Sequence, residues 1–313
     1  WRQSMAKQQI VGDWLLLAAL IALWSTSFLF IEILLESFTP VGIVTVRMLL
    51  GAAVLVAVLI YKKEKLPRDL KSWFMLLVFA TFGTMLPFYL IAVGQQSITS
   101  GMAGLLMAVM PLATMVLAHY FVPDETLNRY KLIGFVMGIT GVAIVLYPAA
   151  TGGSNDVAGI LIVLMASLSY GLNSVLVRRL PGFNPVVAGA GTLIAASAVM
   201  LPLWLAEGIP WQQDFSAGAW LSLLWLGIFQ TGLAMIIYFA IIGRAGPTFL
   251  ANINYVIPVM AYFIGALVLG EVIEFSGVAA LVLIITGVAV TRYLPKKLKH
   301  GYHSTLKPDE SKN

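Results

Sequence analysis

Ten apolar runs, each roughly 18 to 25 residues long, occupy positions 14–35, 41–61, 72–93, 99–121, 130–147, 157–178, 186–206, 218–242, 248–269 and 276–293. A helix rises about 1.5 Å per residue and the hydrocarbon core of a bilayer is about 30 Å thick, so each run is long enough to cross it once. With 60% of 313 residues apolar and 11% charged, no water-soluble fold could bury so much apolar side chain. The expected fold is an all-α integral membrane protein of ten transmembrane helices.

The basic residues support the same count. If the N-terminus is cytoplasmic, eighteen of the nineteen Lys and Arg fall in cytoplasmic segments, and the remaining one, Arg47, lies inside a span. Short loops rich in Lys and Arg stay on the cytoplasmic side, and one missed helix would scramble every later loop. Both termini are therefore expected to be cytoplasmic. The net charge of +5 follows from this topology, not from a nucleic-acid partner.

The chain also reads as one unit written twice. Gly94 to Val145 is echoed by Gly243 to Thr291, with Ile139-Thr-Gly-Val-Ala143 matching Ile285-Thr-Gly-Val-Ala289. Glu125 and Glu271 keep the same offset, Pro111 and Pro258 differ from it by one, and Phe38-Thr-Pro40 matches Phe183-Asn-Pro185. The expected organisation is a cytoplasmic segment 1–13, a five-helix repeat 14–148, a second repeat 157–293 and a cytoplasmic tail 294–313 without fixed structure. Five is odd, so the second repeat enters the membrane in the opposite sense, an arrangement that suits alternating access around a midplane site.

Several residues in the spans carry possible chemistry. Pro111 and Pro258, near the middle of the fourth and ninth spans, lack an N–H and should leave the carbonyls of Met107 and Asn254 partly free, either for a ligand or for a neighbouring helix. Trp24, Ser27, Phe28, Tyr170, Gln230, Asn254 and Tyr255 lie at similar depth. Polar side chains there either bond another helix or line a cavity. Trp24, Phe28 and Glu32 are spaced to share one helical face. Met102, Met107 and Met110 would add a pliable apolar wall. Glu32 and Arg47 sit at compatible depths for an ion pair with a role in coupling, or for a structural pair, with snorkelling of Arg47 as a further reading. Glycines 134, 138 and 141 have the spacing of a close helix contact, and His119 falls at an interface.

Other classes find little support. There are no cysteines, three histidines, no metal-ligand set and no phosphate-binding Gly-rich loop ending in Lys-Ser or Lys-Thr, so no cofactor, metal or nucleotide is expected. A membrane-embedded enzyme acting on lipid would need a cluster of acids and histidines that the sequence lacks. A non-transporting scaffold would leave the polar midplane unexplained.

Trp24-Ser-Thr-Ser-Phe28, Phe38-Thr-Pro40 followed by Arg47, and the run from Pro258 through Glu271 to Gly287-Val288 resemble the EamA-type members of the drug/metabolite transporter superfamily. The resemblance covers residues 14 to 293. Ala280, where the family usually has glycine, and Pro123-Asp124 before Glu125 depart from its pattern. It implies a monomer-like basket of ten helices in a bacterial inner membrane, with the third, fourth, eighth and ninth spans opening and closing a central cavity. It also implies export of small metabolites, often amino acids including aromatic ones, or of drugs and other toxic compounds. Trp24, Phe28, Met107, Asn254 and Tyr255 would then lie near that cavity. Proton coupling through Glu32 with Arg47 and facilitated diffusion both remain compatible with the residues.

Overall fold

The computed structural model describes the backbone of residues 2–123, 125–179, 183–208 and 216–304, and side-chain environments within 10–123, 125–177, 183–208 and 216–291. The described residues are helices and short connections. In chain order the helices are α1 (Ile10–Leu35), α2 (Pro40–Lys62), α3 (Leu70–Gly94), α4 (Ser100–Phe121), α5 (Arg129–Ala150), α6 (Val157–Val177), α7 (Pro185–Ala206), α8 (Ala217–Leu250), α9 (Ile253–Leu269) and α10 (Phe275–Ser304). Six of them begin on a capping side chain. The residues Thr39, Asp69, Thr99, Asn128, Asn184 and Ser216 each accept from a backbone N–H of the first turn that would otherwise lack a partner.

The helices match the expected runs, with two adjustments. The 34-residue run of α8 holds two helical stretches separated by a kink at Gly246, whose φ of 83° is open to glycine and strained for other residues. The ninth crossing therefore starts at Pro247, and α9 is its larger part. Helix α10 continues to Ser304, beyond the expected end at 293, so the first part of the tail is helical.

Large apolar side chains such as Leu15, Phe74, Leu132, Val136, Leu161 and Val282 stay exposed, as lipid-facing residues would. Inside, each half packs against the other through equivalent helices: α2 on α7, α4 on α9, and α5 on α10. The α5–α10 contact shows the underlying symmetry. A Cβ on Gly134 would strike the Gly287 carbonyl, and one on Gly141 would meet the Ala280 carbonyl at 3.0 Å. Gly134 corresponds to Ala280 and Gly141 to Gly287 in the repeat register, so a single backbone contact is made twice. The close-contact reading of these glycines holds, and alanine at 280 is accommodated because the small partner, Gly141, stands opposite.

Four helices depart from regular geometry at mid-length. A turn at Thr26 divides α1, whose helical backbone starts upstream at Arg2, into Arg2–Ser25 and Ser27–Leu35. Helix α4 tightens to a 3-10 turn at Met107–Val109. At matching positions of the two halves, α3 and α8 widen into π-helix at Thr81–Met85 and Trp225–Leu233. Irregular backbone within a membrane persists where protein groups satisfy it, and π-segments are frequent at functional sites.

Candidate functional site

A polar cluster forms where the turn of α1 meets the π-segment of α8. The Thr26 hydroxyl donates back to its own helix, 3.0 Å from the Ala22 carbonyl and 2.9 Å from that of Leu23, and accepts from Gln230 Nε2 at 2.9 Å. Trp24 Nε1 donates to the Gln230 carbonyl at 3.1 Å. One residue on, Thr231 accepts from Arg47 Nε at 2.9 Å and donates to the Leu226 carbonyl, five residues back, at 2.9 Å. Ser27 accepts from Arg47 Nη1 at 3.3 Å. The wider π-turn thus lets Gln230 and Thr231 both reach across to α1 and α2.

Arg47 is 4% exposed, and the Phe88 ring of α3 lies 3.7 Å from its guanidinium carbon. Phe88 in turn meets the Tyr170 ring of α6 edge-on, with centroids 6.3 Å apart. Burying an unpaired charge costs several kcal/mol. A desolvated cation–π contact contributes about 2 kcal/mol, and each hydrogen bond to a charged group about 1.5–3 kcal/mol. These contacts hold the cation without neutralising it.

The expected pair between Glu32 and Arg47 does not form. Glu32 accepts from Gln95 Nε2 at 3.0 Å, and the same amide donates to the Phe28 carbonyl at 2.9 Å. Arg47 instead faces α8, where Thr231 lies in reach. The freed carbonyls expected before the prolines are also re-satisfied in α4. The Met107 carbonyl accepts from the Met110 N–H in the 3-10 turn, and that shift passes the vacancy to Leu106, whose carbonyl accepts from the Ser167 hydroxyl of α6 at 3.1 Å. Helix α9 continues through Pro258, and Asn254 Nδ2 donates locally to the Ala251 carbonyl at 3.2 Å.

The remaining expected residues divide into two groups. Trp24, Ser27 and Gln230 join the cluster around Arg47, with Tyr170 behind Phe88. Met107 and Tyr255 pack at the edge of the core between α4 and α9. The turn at Thr26 also separates Trp24 from Phe28, so they do not form one stripe. Trp24 meets the Tyr238 ring and packs against the cluster that includes Leu17, Ile241 and Ile253, while Phe28 packs with Gly104 and the α4 core. Sequence reasoning passed over Thr26, Phe88, Gln95 and Thr231. A hydroxyl inside an apolar span was the available signal for the two threonines.

Helices α4 and α9 meet at one face of the bundle and part toward the other. Ser100–Leu106 packs on α9, with Gly104 against Ala261, and the Met107–Val109 turn still touches α9. Beyond it, Met110–Phe121 packs on α6 and α5, whereas α9 packs on α1. No comparable packing joins Met110–Phe121 to α8 or α9 among the described residues.

The joined face is latched. Glu271 accepts from the N–H groups of Ser100 and Gly101 at 2.8 and 2.9 Å, while Thr99 accepts from Met102. A Cβ at Gly101 or Gly265 would press on the Glu271 carboxylate, so glycine at both positions leaves it room to reach α4. Further links at this face are Thr39 to Glu207 at 2.6 Å, which joins the halves, and Ser154, in the connection between them, to Glu274 at 2.8 Å. The counterpart of Glu271 at the parted face, Glu125, pairs with Lys131 of its own half at 3.1 Å.

The family model described as the EamA-like transporter family matches the chain twice, over residues 11–147 and 157–293. Similar proteins include the "uncharacterized transporter YvbV" of Bacillus subtilis, 26% identical over 91% of this chain and 93% of its own length. The "uncharacterized inner membrane transporter YedA" of Escherichia coli is 27% identical over 89% of this chain and 90% of its own length. A solved crystal structure 21% identical to the chain superposes with a TM-score of 0.67, covering 92% of this chain and 99% of the other, and so shares the fold.

Proposed function

The chain belongs to the EamA-like transporter family, and from that premise we propose that it exports small, partly apolar metabolites, amino acids foremost, by alternating access. The observation that carries this reading is the geometry of α4 and α9, joined and latched at one face and parted at the other. The distribution of Lys and Arg supports a cytoplasmic position for the parted face, where Arg129, Lys131 and Arg244 lie, so that the conformation would load from inside. The named location of the Escherichia coli relative supports a bacterial inner membrane.

Symmetry between the halves supports the mechanism. Release of Glu271 from the first turn of α4, with closure of the Met110–Phe121 segment onto the start of the ninth crossing, would produce the opposite orientation. The aromatic residues Trp24, Phe88, Tyr170 and Tyr255 suit an apolar or aromatic side chain on the solute. Half-buried Met107 and Met110, unbranched and adaptable, favour the second reading, export of drugs or other toxic compounds. Glu32, held by a neutral amide, is the group through which protons would couple to transport. No nucleotide, nucleic acid or cofactor enters this scheme, and one chain supplies both halves.

Counterflow tests it. Proteoliposomes preloaded with single unlabelled amino acids should accumulate the labelled counterpart well above empty liposomes for at least one aromatic or branched member, with a pH gradient altering the rate if Glu32 couples. Exchange confined to hydrophobic drugs would select the second reading. Absence of exchange across both panels would overturn transport of these classes.

A further inference from the structure

We propose that Arg47, held by Thr231 and Ser27 and covered by Phe88, recognises a carboxylate on the transported solute, with Gln230 as the adjoining acceptor. The inference rests on the transport reading and specifies the chemistry of its site. It assigns the solute an anionic head group, bound at the junction of α1, α2 and the π-segment of α8.

Three observations converge on this junction. A guanidinium carries five N–H donors, and in the structure Nε is spent on Thr231 and one Nη1 hydrogen on Ser27. Three donors therefore have no partner among the described residues. The ion pairs among the described residues, Lys131 with Glu125 and Arg244 with Asp13, leave this cation out. Glu32, the acid whose depth suits it, is committed to Gln95. A cation 4% exposed within a membrane protein, fixed in place by neutral groups and left with unspent donors, has the makings of an anion site.

Gln230, next in sequence to the residue that holds Arg47, supplies the second observation. It is 1% exposed, its amide nitrogen is bonded to Thr26, and its Oε1 has no partner. A surplus of donors on the group bonded to Thr231 and Ser27, and a surplus acceptor on the amide bonded to Thr26, fit a solute that presents a carboxylate and an N–H together.

The third is the backbone. The turn at Thr26 and the π-helix of Trp225–Leu233 lie opposite each other at this point, so both flanking helices are interrupted where the cluster forms. Phe88 covers the guanidinium through a ring contact and is held from behind by an edge-on contact with Tyr170. A rotation of that ring is the smallest movement that would uncover the charge. The solute's carboxylate would then take over from the ring as the partner of Arg47.

The test compares each acid with its amide, which has the same side chain and lacks the negative charge. The probes are L-phenylalanine and L-leucine with their amides, and 3-phenylpropionate with 3-phenylpropionamide. Competition against labelled exchange is measured in proteoliposomes, and thermal stabilisation in detergent. Wild-type protein is expected to prefer at least one acid over its amide by tenfold or more in half-saturating concentration, and Arg47→Gln to lose that preference.

Because Arg47→Gln also disturbs the α1–α2–α8 contact, Thr231→Val serves as a second variant. It keeps the charge but removes the hydroxyl that positions the guanidinium, and should raise half-saturation for acids more than for their amides. Equal competition by acids and amides in wild type, or an acid preference that survives Arg47→Gln, would overturn the proposal. Exchange of neutral or cationic solutes with no acid preference would overturn the head-group site and leave the transport reading standing. Neither exchange nor acid-dependent stabilisation with any probe would overturn both.

Discussion

Glu271→Ala should loosen the joined face by an amount the structure lets one work out. The carboxylate takes two backbone N–H groups at 2.8 and 2.9 Å, both in the first turn of α4, where its negative charge also faces the positive end of the helix dipole. Each bond to a charged group contributes about 1.5–3 kcal/mol net, and the partial exposure of Glu271 favours the lower figure, so the pair amounts to about 3 kcal/mol. At about 1.4 kcal/mol per factor of ten, the balance between joined and parted states of this face should shift by roughly 100-fold. Glu271→Gln keeps one acceptor oxygen and should shift it by about tenfold, by the same arithmetic. The chain contains no cysteine, so one introduced thiol is a unique reporter. Met102→Cys places it in α4, one residue beyond the latched turn, at a site that is 3% exposed. Labelling by a membrane-impermeant maleimide from the joined face should accelerate in the order wild type, Glu271→Gln, Glu271→Ala. Rates within twofold of one another in all three proteins would refute the latch.

The other predictions concern packing and the site. Gly134→Leu drives a side chain into the Gly287 carbonyl, so it should lower the midpoint of thermal unfolding in detergent by the equivalent of about 1–3 kcal/mol, whereas Gly218→Leu, with open space around it, should leave it unchanged. Ser167→Ala strips the Leu106 carbonyl of its donor inside the α4–α6 contact and should cost about 1–3 kcal/mol by the same measurement, while Ser167→Thr should retain most of the stability. Trp24→Ala and Asn254→Leu are expected to abolish counterflow while still inserting and eluting as folded protein. Retained uptake in both would move the solute away from α1 and α9.

Part of the candidate site was legible because the cost of polar groups in hydrocarbon makes them conspicuous. Ser27, Arg47, Tyr170 and Gln230 stand out in apolar spans, and they do converge with their neighbours. Their partners were not legible. Glu32 and Arg47 were matched by depth and opposite charge, yet depth along a helix says nothing about the direction a side chain faces. Gln95, from α3, reaches Glu32, and Thr231, displaced by the π-turn of α8, reaches Arg47. In the same way, Pro111 announced a lost hydrogen bond, while its remedy came from Ser167, on a helix of the other repeat.

What the sequence determined by itself was the set of crossings and their repeat. Bilayer thickness demands runs of a set length, backbone polarity demands that they be helices, and an odd repeat demands inversion. Those constraints act on each segment alone or on the pattern as a whole, so composition and spacing carry them. The turn at Thr26, the two π-segments, the 3-10 turn before Pro111, the separation of Arg47 from Glu32 and the latch at Glu271 were decided only in the tertiary structure. Each depends on which hydrogen-bond partner, supplied by a helix distant in sequence, arrives within about 3 Å of a donor or acceptor. That choice belongs to the packed bundle.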